Sequence, residues 1–504
     1  MYPPHPEEQT AISNLCTLPV LANMKRSYEN ALKLLEMRRR PCRPIAAAAP
    51  QASQNAALPS SNNVLRGTPS LAGMSEWLQI LGHSDRDLDK LNIVHVAGTK
   101  GKGSTCAFTR SFLHAHGLRT GFPSRIGLYT SPHLRCIRER IQIDNQPITE
   151  DMFTRYLFEV WEKLVSAEID RLPRYLQLLA LLAFHTFVKE KVDAAIFETH
   201  HGGEYDATNV IPKPVVTGVT SLGMDHISQL GPTIEDIAWH KAGIFKAGTP
   251  AFSVLQEDRP SVALSKRAAE KGVDLTFVST NEALFDGGGV LNIPVQRLNC
   301  SLALEIARAF LKLKAPEDTI DAEDISRGIK TFSWAGRFEV IEDGISRWFL
   351  DGAHNMMSLE QAVQWFSNAT NAPDSQKFRV LIFSHFSEGR DGAALAEGLA
   401  HSLSKYNAAP DCVIFTTYQE SEGGSMGKDR TVKLAEPSFP EFCDLYSSIW
   451  KGLNPQGVVS CEPTIEGAIK FAKRMGALQG GMEVLVTGSL HLVGGALNIL
   501  RPQD

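Results

Sequence analysis

Apolar residues recur at helical spacing in "RSYENALKLLEMRRR" (26–40), the pattern of one amphipathic helix. The pattern then stops. Residues 44–65, "PIAAAAPQASQNAALPSSNNVL", carry no charge and are rich in Ala, Pro, Ser, Asn and Gln, a composition that predicts a mobile loop. Order resumes at "GMSEWLQILG" (73–82), and from there short β-rich runs alternate with helical ones. "LNIVHVAG" (91–98) reads as a strand ending in glycine, and "CAFTRSFLHAHG" (106–117) as a helix with Gly117 as its C-cap. "YLQLLALLAFHTFVKEK" (175–191) reads as a long apolar helix, "VDAAIFET" (192–199) and "PVVTGVTSLG" (214–223) as buried strands, and "SLALEIARAFLKLK" (301–314) as another helix. Past residue 330 the alternation restarts, with strands expected in "SRWFLDGAH" (346–354), "KFRVLIFSH" (377–385), "CVIFTTYQ" (412–419) and "MEVLVTGSL" (482–490). Such alternation predicts parallel sheets with covering helices, hence an α/β protein. The expected division is an extension at 1–25, a larger domain at 26–330 and a smaller one at 331–504.

Composition changes this picture little. The 504 residues suit two domains, and 43% hydrophobic with 21% charged residues is ordinary for a globular chain. A net charge of −5 gives no electrostatic reason to expect nucleic acid as a partner. No uninterrupted apolar stretch is long enough to span a membrane. The eight cysteines, Cys16, Cys42, Cys106, Cys136, Cys300, Cys412, Cys443 and Cys461, form no CxxC pair, which argues against a zinc ribbon or a disulfide scaffold and fits a reducing compartment. Glu7 and Glu8 and the lack of an apolar h-region argue against a secretory signal. Arg38, Arg39, Arg40 and Arg43 before an Ala/Ser tract suggest a transit peptide, an indication that Glu29 and Glu36 dilute. The expected compartment is the cytoplasm, with mitochondria as the alternative.

The candidate chemistry begins at "HVAGTKGKGST" (95–105), which joins a strand to a helix. Glycines at 98, 101 and 103 permit close backbone approach, and amide groups at a helix N-terminus face anions well. Lys102 supplies a point charge, and Ser104 or Thr105 a hydroxyl that can reach Mg²⁺. The fit to the strict phosphate-loop pattern is imperfect, since Val96 stands where that pattern has glycine and Gly103 separates the lysine from the serine. The plainer alternative is a surface turn with a solvated pair, Lys100 and Lys102.

Seven further segments decide between them. "GTKGKGS" is similar to the ATP loop of the Mur ligase superfamily and, within it, the folylpolyglutamate synthase family. "LYTSPHLRCIRERIQID" (128–144), "ETHHGGEYDATNV" (198–210), "TSLGMDHISQLGPTIEDIAWHKAGIFKAGTP" (220–250), "QRLNCSLA" (296–303), "WAGRFEVI" (334–341), "LDGAHNMMSL" (350–359) and "VTGSLHLVGG" (486–495) resemble the motifs of that family in its order. The resemblance implies a phosphate-loop-containing Mur ligase-like domain followed by a smaller Rossmann-like α/β domain. It implies ATP-dependent addition of L-glutamate to the γ-carboxylate of a reduced folate through an acyl phosphate, in a cleft between the domains, by a monomer. Mg²⁺ is the implied metal, with a monovalent cation such as K⁺ as a further candidate.

The family roles carry over residue by residue. Gly98, Thr99, Lys100, Gly101, Lys102, Gly103, Ser104 and Thr105 would hold the ATP phosphates, with Lys102 on the γ-phosphate. Ser104, Ser131, Glu198 and His226 would serve the metal, as would Lys241 if carbamylated. Gln296 and Asn299 would contact adenine. Arg337 would reach the phosphates, Asp351 and His354 the nucleotide and the glutamate, and Ser489 the glutamate. Lys102, His226, Lys241, Arg337 and His354 are the implied catalytic set. On residue type alone each has a plainer reading: Ser131 a turn or N-cap serine, His226 a satisfied polar side chain, Lys241 a solvated helix lysine, "DGAH" a strand-terminal turn.

Four departures bear on the substrate rather than on phosphate chemistry. Ala180, in "LLA", stands where the family usually has threonine. His200 and His201 stand where many members have Gly-Leu or Gly-Ile, and a polar loop explains them better than a metal site does. "GFPSRI" (121–126) reads as an insertion, and the 44–65 loop is long for the family. A related ligase acting on another acid and amino acid, and a non-catalytic nucleotide-binding relative, stay open as alternatives.

Overall fold

A computed structural model describes residues 25–39, 69–284, 289–371, 377–386, 392–423, 439–453 and 457–502. The expected extension at 1–25, apart from its last residue, and the expected loop at 44–65 lie outside these described residues. Two compact units result: Met1–Pro132 with Arg138–Phe332, and His133–Ile137 with Ser333–Asp504. Among the described residues no helix is long and apolar enough to cross a membrane.

The first unit is built on an eight-stranded sheet in the order β4-β3-β2-β5-β1-β6-β7-β8. Its strands are β1 (Ile93–Ala97), β2 (Ile126–Tyr129), β3 (Ile141–Ile143), β4 (Gln146–Pro147), β5 (Ala194–Glu198), β6 (Val216–Val219), β7 (Ala251–Val254) and β8 (Leu275–Val278). The block from β2 to β8 is parallel, while β3 and β4 fold back antiparallel at one edge. All residues of β1 and β5 are buried, as expected of central strands covered on both faces. The helix Tyr175–Lys189 buries twelve of its residues, which is why it reads as apolar all round.

A six-stranded sheet, β13-β12-β11-β14-β10-β9, organises the second unit. Its strands are β9 (Glu339–Asp343), β10 (Ser346–Leu350), β11 (Phe378–Phe383), β12 (Cys412–Thr416), β13 (Val458–Glu462) and β14 (Met482–Thr487). Only β9 runs antiparallel to its neighbour. Along β14 alternate residues enter opposite layers, with Val484 and Val486 in one apolar cluster and Leu485 in the other. Leu134, from the short stretch His133–Ile137, packs in the first of these, and Arg135 Nε donates to Asn498 Oδ1 at 2.8 Å.

Three expectations need correction. Gly117 is not a C-cap: the helix runs Lys102–Thr120, and Gly121, at φ +88°, ends it. The extra turn is held by Arg119, whose Nε lies 3.2 Å from the carboxylate of Asp324. The helix expected at 301–314 starts earlier, at Pro294, because proline at the first helical position gives up no hydrogen bond. Scattered cysteine spacing suggested unpaired thiols, yet Cys443 and Cys461 form a disulfide between the helix Phe439–Leu453 and β13. Cys106, Cys300 and Cys412 are free thiols.

Candidate active site

β1 lies between β5 and β6, so its carboxyl end opens onto the middle of the first sheet, the ligand-binding edge of an α/β fold. There the chain turns through Gly98 (φ +146°) and Gly101 (φ +87°) into the helix Lys102–Thr120. Gly101 is the N-cap, and no side chain caps this end. The first-turn amides therefore lack a side-chain acceptor, which suits an anion. The loop is pinned from behind: the N–H groups of Thr99 and Lys100 donate to Ser221 O at 3.0 and 3.1 Å. Both hinge glycines are packed tightly, since a Cβ at Gly98 would overlap the Thr220 side chain and one at Gly101 the Asn299 amide. Gly101→Ala combines that overlap with a left-handed backbone costing about 1–2 kcal/mol. Nucleotide titration of this variant should show Kd raised about tenfold; an unchanged Kd would contradict this picture of the loop.

The expected residues of the first unit gather around this turn. Lys102 Nζ lies 3.9 Å from Glu198 Oε1 at the end of β5. Glu198 is buried, and its Oε2 accepts from the Thr130 hydroxyl and from the Ser131 N–H at 3.2 Å. Ser131 is not an N-cap; its Oγ accepts from Arg140 Nη1 at 2.8 Å. Lys100 pairs with Asp225 at 3.1 Å. His226 has φ +52°, donates its N–H to Asp225 Oδ1, and stacks on His201 with ring centroids 5.0 Å apart. Burial, then the neighbouring His201, push its imidazole down to about 3, so the ring is neutral and can ligate.

Lys241 is not solvated. It is buried, and Nζ donates to Gly98 O at 2.7 Å. Burial, then the charge of Lys102, push its ammonium far below the usual lysine range. Ser104 lies in the first helical turn and is buried, and the Thr105 hydroxyl is buried with no hydrogen-bond partner. Asn299 Nδ2 donates to Gln296 Oε1 at 3.3 Å, which links both residues to the Gly101 end of the loop.

Within the second unit, Asp351 directly follows β10 and organises a tight turn. Its carboxylate accepts the N–H groups of Phe338 and Ala353, both at 2.9 Å. Burial raises the pKa of this carboxyl, opposed by Arg337 and by those two N–H groups. Arg337 Nη1 donates to Gly336 O at 3.0 Å and packs so closely on Gly352 that a Cβ there would overlap it. His354 uses Nδ1 toward Gly352 O at 3.0 Å, fixing the ring. Ser489 is the N-cap of the helix Leu490–Leu500, accepting from His491 N at 3.1 Å. Gly488 N donates to Ala353 O at 3.0 Å, which joins the "TGSL" and "DGAH" segments.

Thr130, Arg140 and Asp225 were not singled out from sequence. All three sit inside quoted motifs, so the signal was present, but their partners lie across the fold.

Comparison with known proteins gives one consistent answer. The model of the Mur ligase middle domain matches residues 96–293. The chain is 41% identical over 462 residues to the folylpolyglutamate synthase of Neurospora crassa, covering 86% of each chain. It is 38% identical over 460 residues to that of Saccharomyces cerevisiae (strain FostersO), covering 87% of this chain and 82% of the other. Among solved structures, the apo form of L. casei FPGS aligns over 94% of this chain and 99% of its own, with TM-score 0.69 and 22% identity. Mycobacterium tuberculosis folylpolyglutamate synthase complexed with ADP aligns over 87% and 96%, with TM-score 0.69 and 23% identity. These two structures share the fold.

Proposed function

Because the chain belongs to the folylpolyglutamate synthase family, we propose that its loop at 98–105 holds the phosphates of ATP and that the groups around it activate the γ-carboxylate of a reduced folate. The protein is an ATP-dependent ligase that adds glutamate to folate. The observation that carries the residue-level reading is the meeting, at one sheet edge, of an uncapped helix N-terminus, Lys102 and the buried carboxylate of Glu198.

Joining a carboxylate to an amine in water is uphill. A γ-carboxylate oxygen attacks the γ-phosphorus, the bond to the ADP oxygen breaks, and an acyl phosphate forms. The α-amine of glutamate then attacks the acyl carbon. The C–O bond breaks, phosphate leaves, the nitrogen loses its proton, and an amide remains. Lys102 and the helix N-terminus stabilise charge on the transferring phosphoryl group. Gly98 and Gly101 let the backbone approach it, and Gln296 and Asn299 border the adenine end.

Glu198 and Ser131 suit Mg²⁺, which takes one or two protein oxygen donors and fills its shell with phosphate oxygens and water. Among the described residues no cluster of three or more His, Cys, Asp or Glu side chains could hold a metal alone. Mg²⁺, when bound, neutralises phosphate charge. His226 is neutral, as a ligand must be, and Lys241 would contribute as a carbamate. In the second unit Arg337 is the phosphate-directed cation, while His354, Asp351 and Ser489 serve the glutamate and nucleotide.

The test is phosphate release with Mg·ATP, tetrahydrofolate and glutamate, with mass spectrometry of the pterin product. Release that requires both substrates, and a product heavier by one glutamyl unit, is expected. No release from a folded protein that still binds ATP would favour a ligase for another acid and amino acid.

A further inference from the structure

His200 is buried and follows Glu198 by two residues. Its Nε2 lies 2.6 Å from the Tyr129 hydroxyl and its Nδ1 faces Asp206 Oδ1 at 3.4 Å, an arrangement that favours the tautomer protonated at Nδ1, with Nε2 accepting from Tyr129. Asp206 in turn accepts the N–H groups of His200, His201 and Thr208 at 2.9, 3.0 and 3.0 Å, and the Thr208 hydroxyl at 2.8 Å. The same hydroxyl lies 2.8 Å from His95 Nε2 on β1. Tyr129, His200, Asp206, Thr208 and His95 are all buried. Together they form one polar chain from the end of β2, through the segment that follows β5, to β1, near the strand ends that lead to Ser131, Glu198 and Gly98.

Burying such groups is favourable only when each finds its partner, and a connected network then fixes geometry more rigidly than apolar packing does. Tyr129 lies two residues before Ser131, and Thr130 between them donates to Glu198. The spacing of Ser131 and Glu198 therefore depends on how β2 is held against the turn after β5. His200 is the only side chain in the network that reaches from that turn to Tyr129.

We propose that Tyr129, His200 and Asp206 are positioning residues that set the separation of Ser131 and Glu198 for the nucleotide-borne metal. This rests on the reading of Glu198 and Ser131 as metal-site residues. The network corrects the expectation of a polar loop for His200, whose side chain is a buried strut behind the site.

Mn²⁺ affinity in the presence of ADP, read by electron paramagnetic resonance, tests this on the full chain without turnover. Tyr129→Phe and His200→Leu should each weaken Mn²⁺ binding about tenfold, as loss of an outer-shell partner does. His200→Gln, whose Oε1 can accept from Tyr129, should recover most of the loss. KM for glutamate should stay within about twofold of the parent in all three. Glu198→Gln separates the two levels. If it weakens Mn²⁺ while Tyr129→Phe does not, the positioning role is overturned alone. If Glu198→Gln leaves Mn²⁺ affinity unchanged, the metal-site reading is wrong and the positioning role falls with it. Should His200→Leu fail to fold, Tyr129→Phe, which removes one oxygen, still decides.

Discussion

Lys102→Ala is expected to lower kcat about a thousandfold while KM for ATP rises about tenfold or less. The asymmetry follows from the geometry. The backbone amides of the loop and the helix end remain in the variant, and they supply much of the ground-state hold on the phosphates. What disappears is the cation lying 3.9 Å from Glu198, where the transferring phosphoryl group would sit. Low dielectric makes that charge count for more than it would in water. Steady-state kinetics with phosphate detection measures both parameters. Turnover within about tenfold of the parent would mean that Lys102 does not face the γ-phosphate.

Lys241→Ala is expected to cost about a hundredfold or more in kcat. A buried lysine is disfavoured as a cation, and here Lys102 and Lys100 stand among its charged neighbours. The neutral amine has the lone pair needed to add carbon dioxide: an N–C bond forms, a proton leaves, and an anion results. A carbamate at this place would meet the lysines with opposite charge. Carbon-13 NMR after equilibration with labelled bicarbonate should show a carbamate signal in the parent protein that Lys241→Ala lacks. A parent without that signal, or a variant with parental turnover, would leave Lys241 only its hydrogen bond to Gly98.

Central strands were the most legible part of the fold. β1, β5 and β14 are buried on both faces, so they appear in sequence as largely apolar runs, broken in β1 by His95 and in β14 by Glu483. Edge elements were not. β3, β4 and β9 are short, partly polar and antiparallel, and their direction depends on neighbours far along the chain. The start of the helix at Lys102 was obscured because Gly103, Ser104 and Thr105 are poor helix formers, held there by the loop. Pro294 and the polar residues after it likewise hid the first turns of another helix.

The site divides in the same way. The Gly-rich turn between a strand and a helix and the position of Glu198 at a strand end were legible as local patterns, whereas Gln296 and Asn299 were singled out only by the family resemblance. Arg140 on Ser131 and Tyr129 on His200 were not, since the second contact spans 71 positions of chain. The burial of Lys241 was equally invisible, because helix periodicity places its neighbours but not the loop above it. Cys443 and Cys461 lie 18 residues apart, and only the packing of a helix on an edge strand brings them together.

The most direct measurement places oxygen-18 in both oxygens of the folate γ-carboxylate and follows it during ligation. If the carboxylate attacks the γ-phosphorus, the C–O bond that later breaks leaves one labelled oxygen on the released phosphate. Phosphate carrying one oxygen-18 per amide formed is the expected result, and labelled phosphate should appear about a thousandfold more slowly in Lys102→Ala, in step with its turnover. Amide formation with unlabelled phosphate, or with the label in AMP, would contradict the acyl phosphate and with it the roles assigned to the loop.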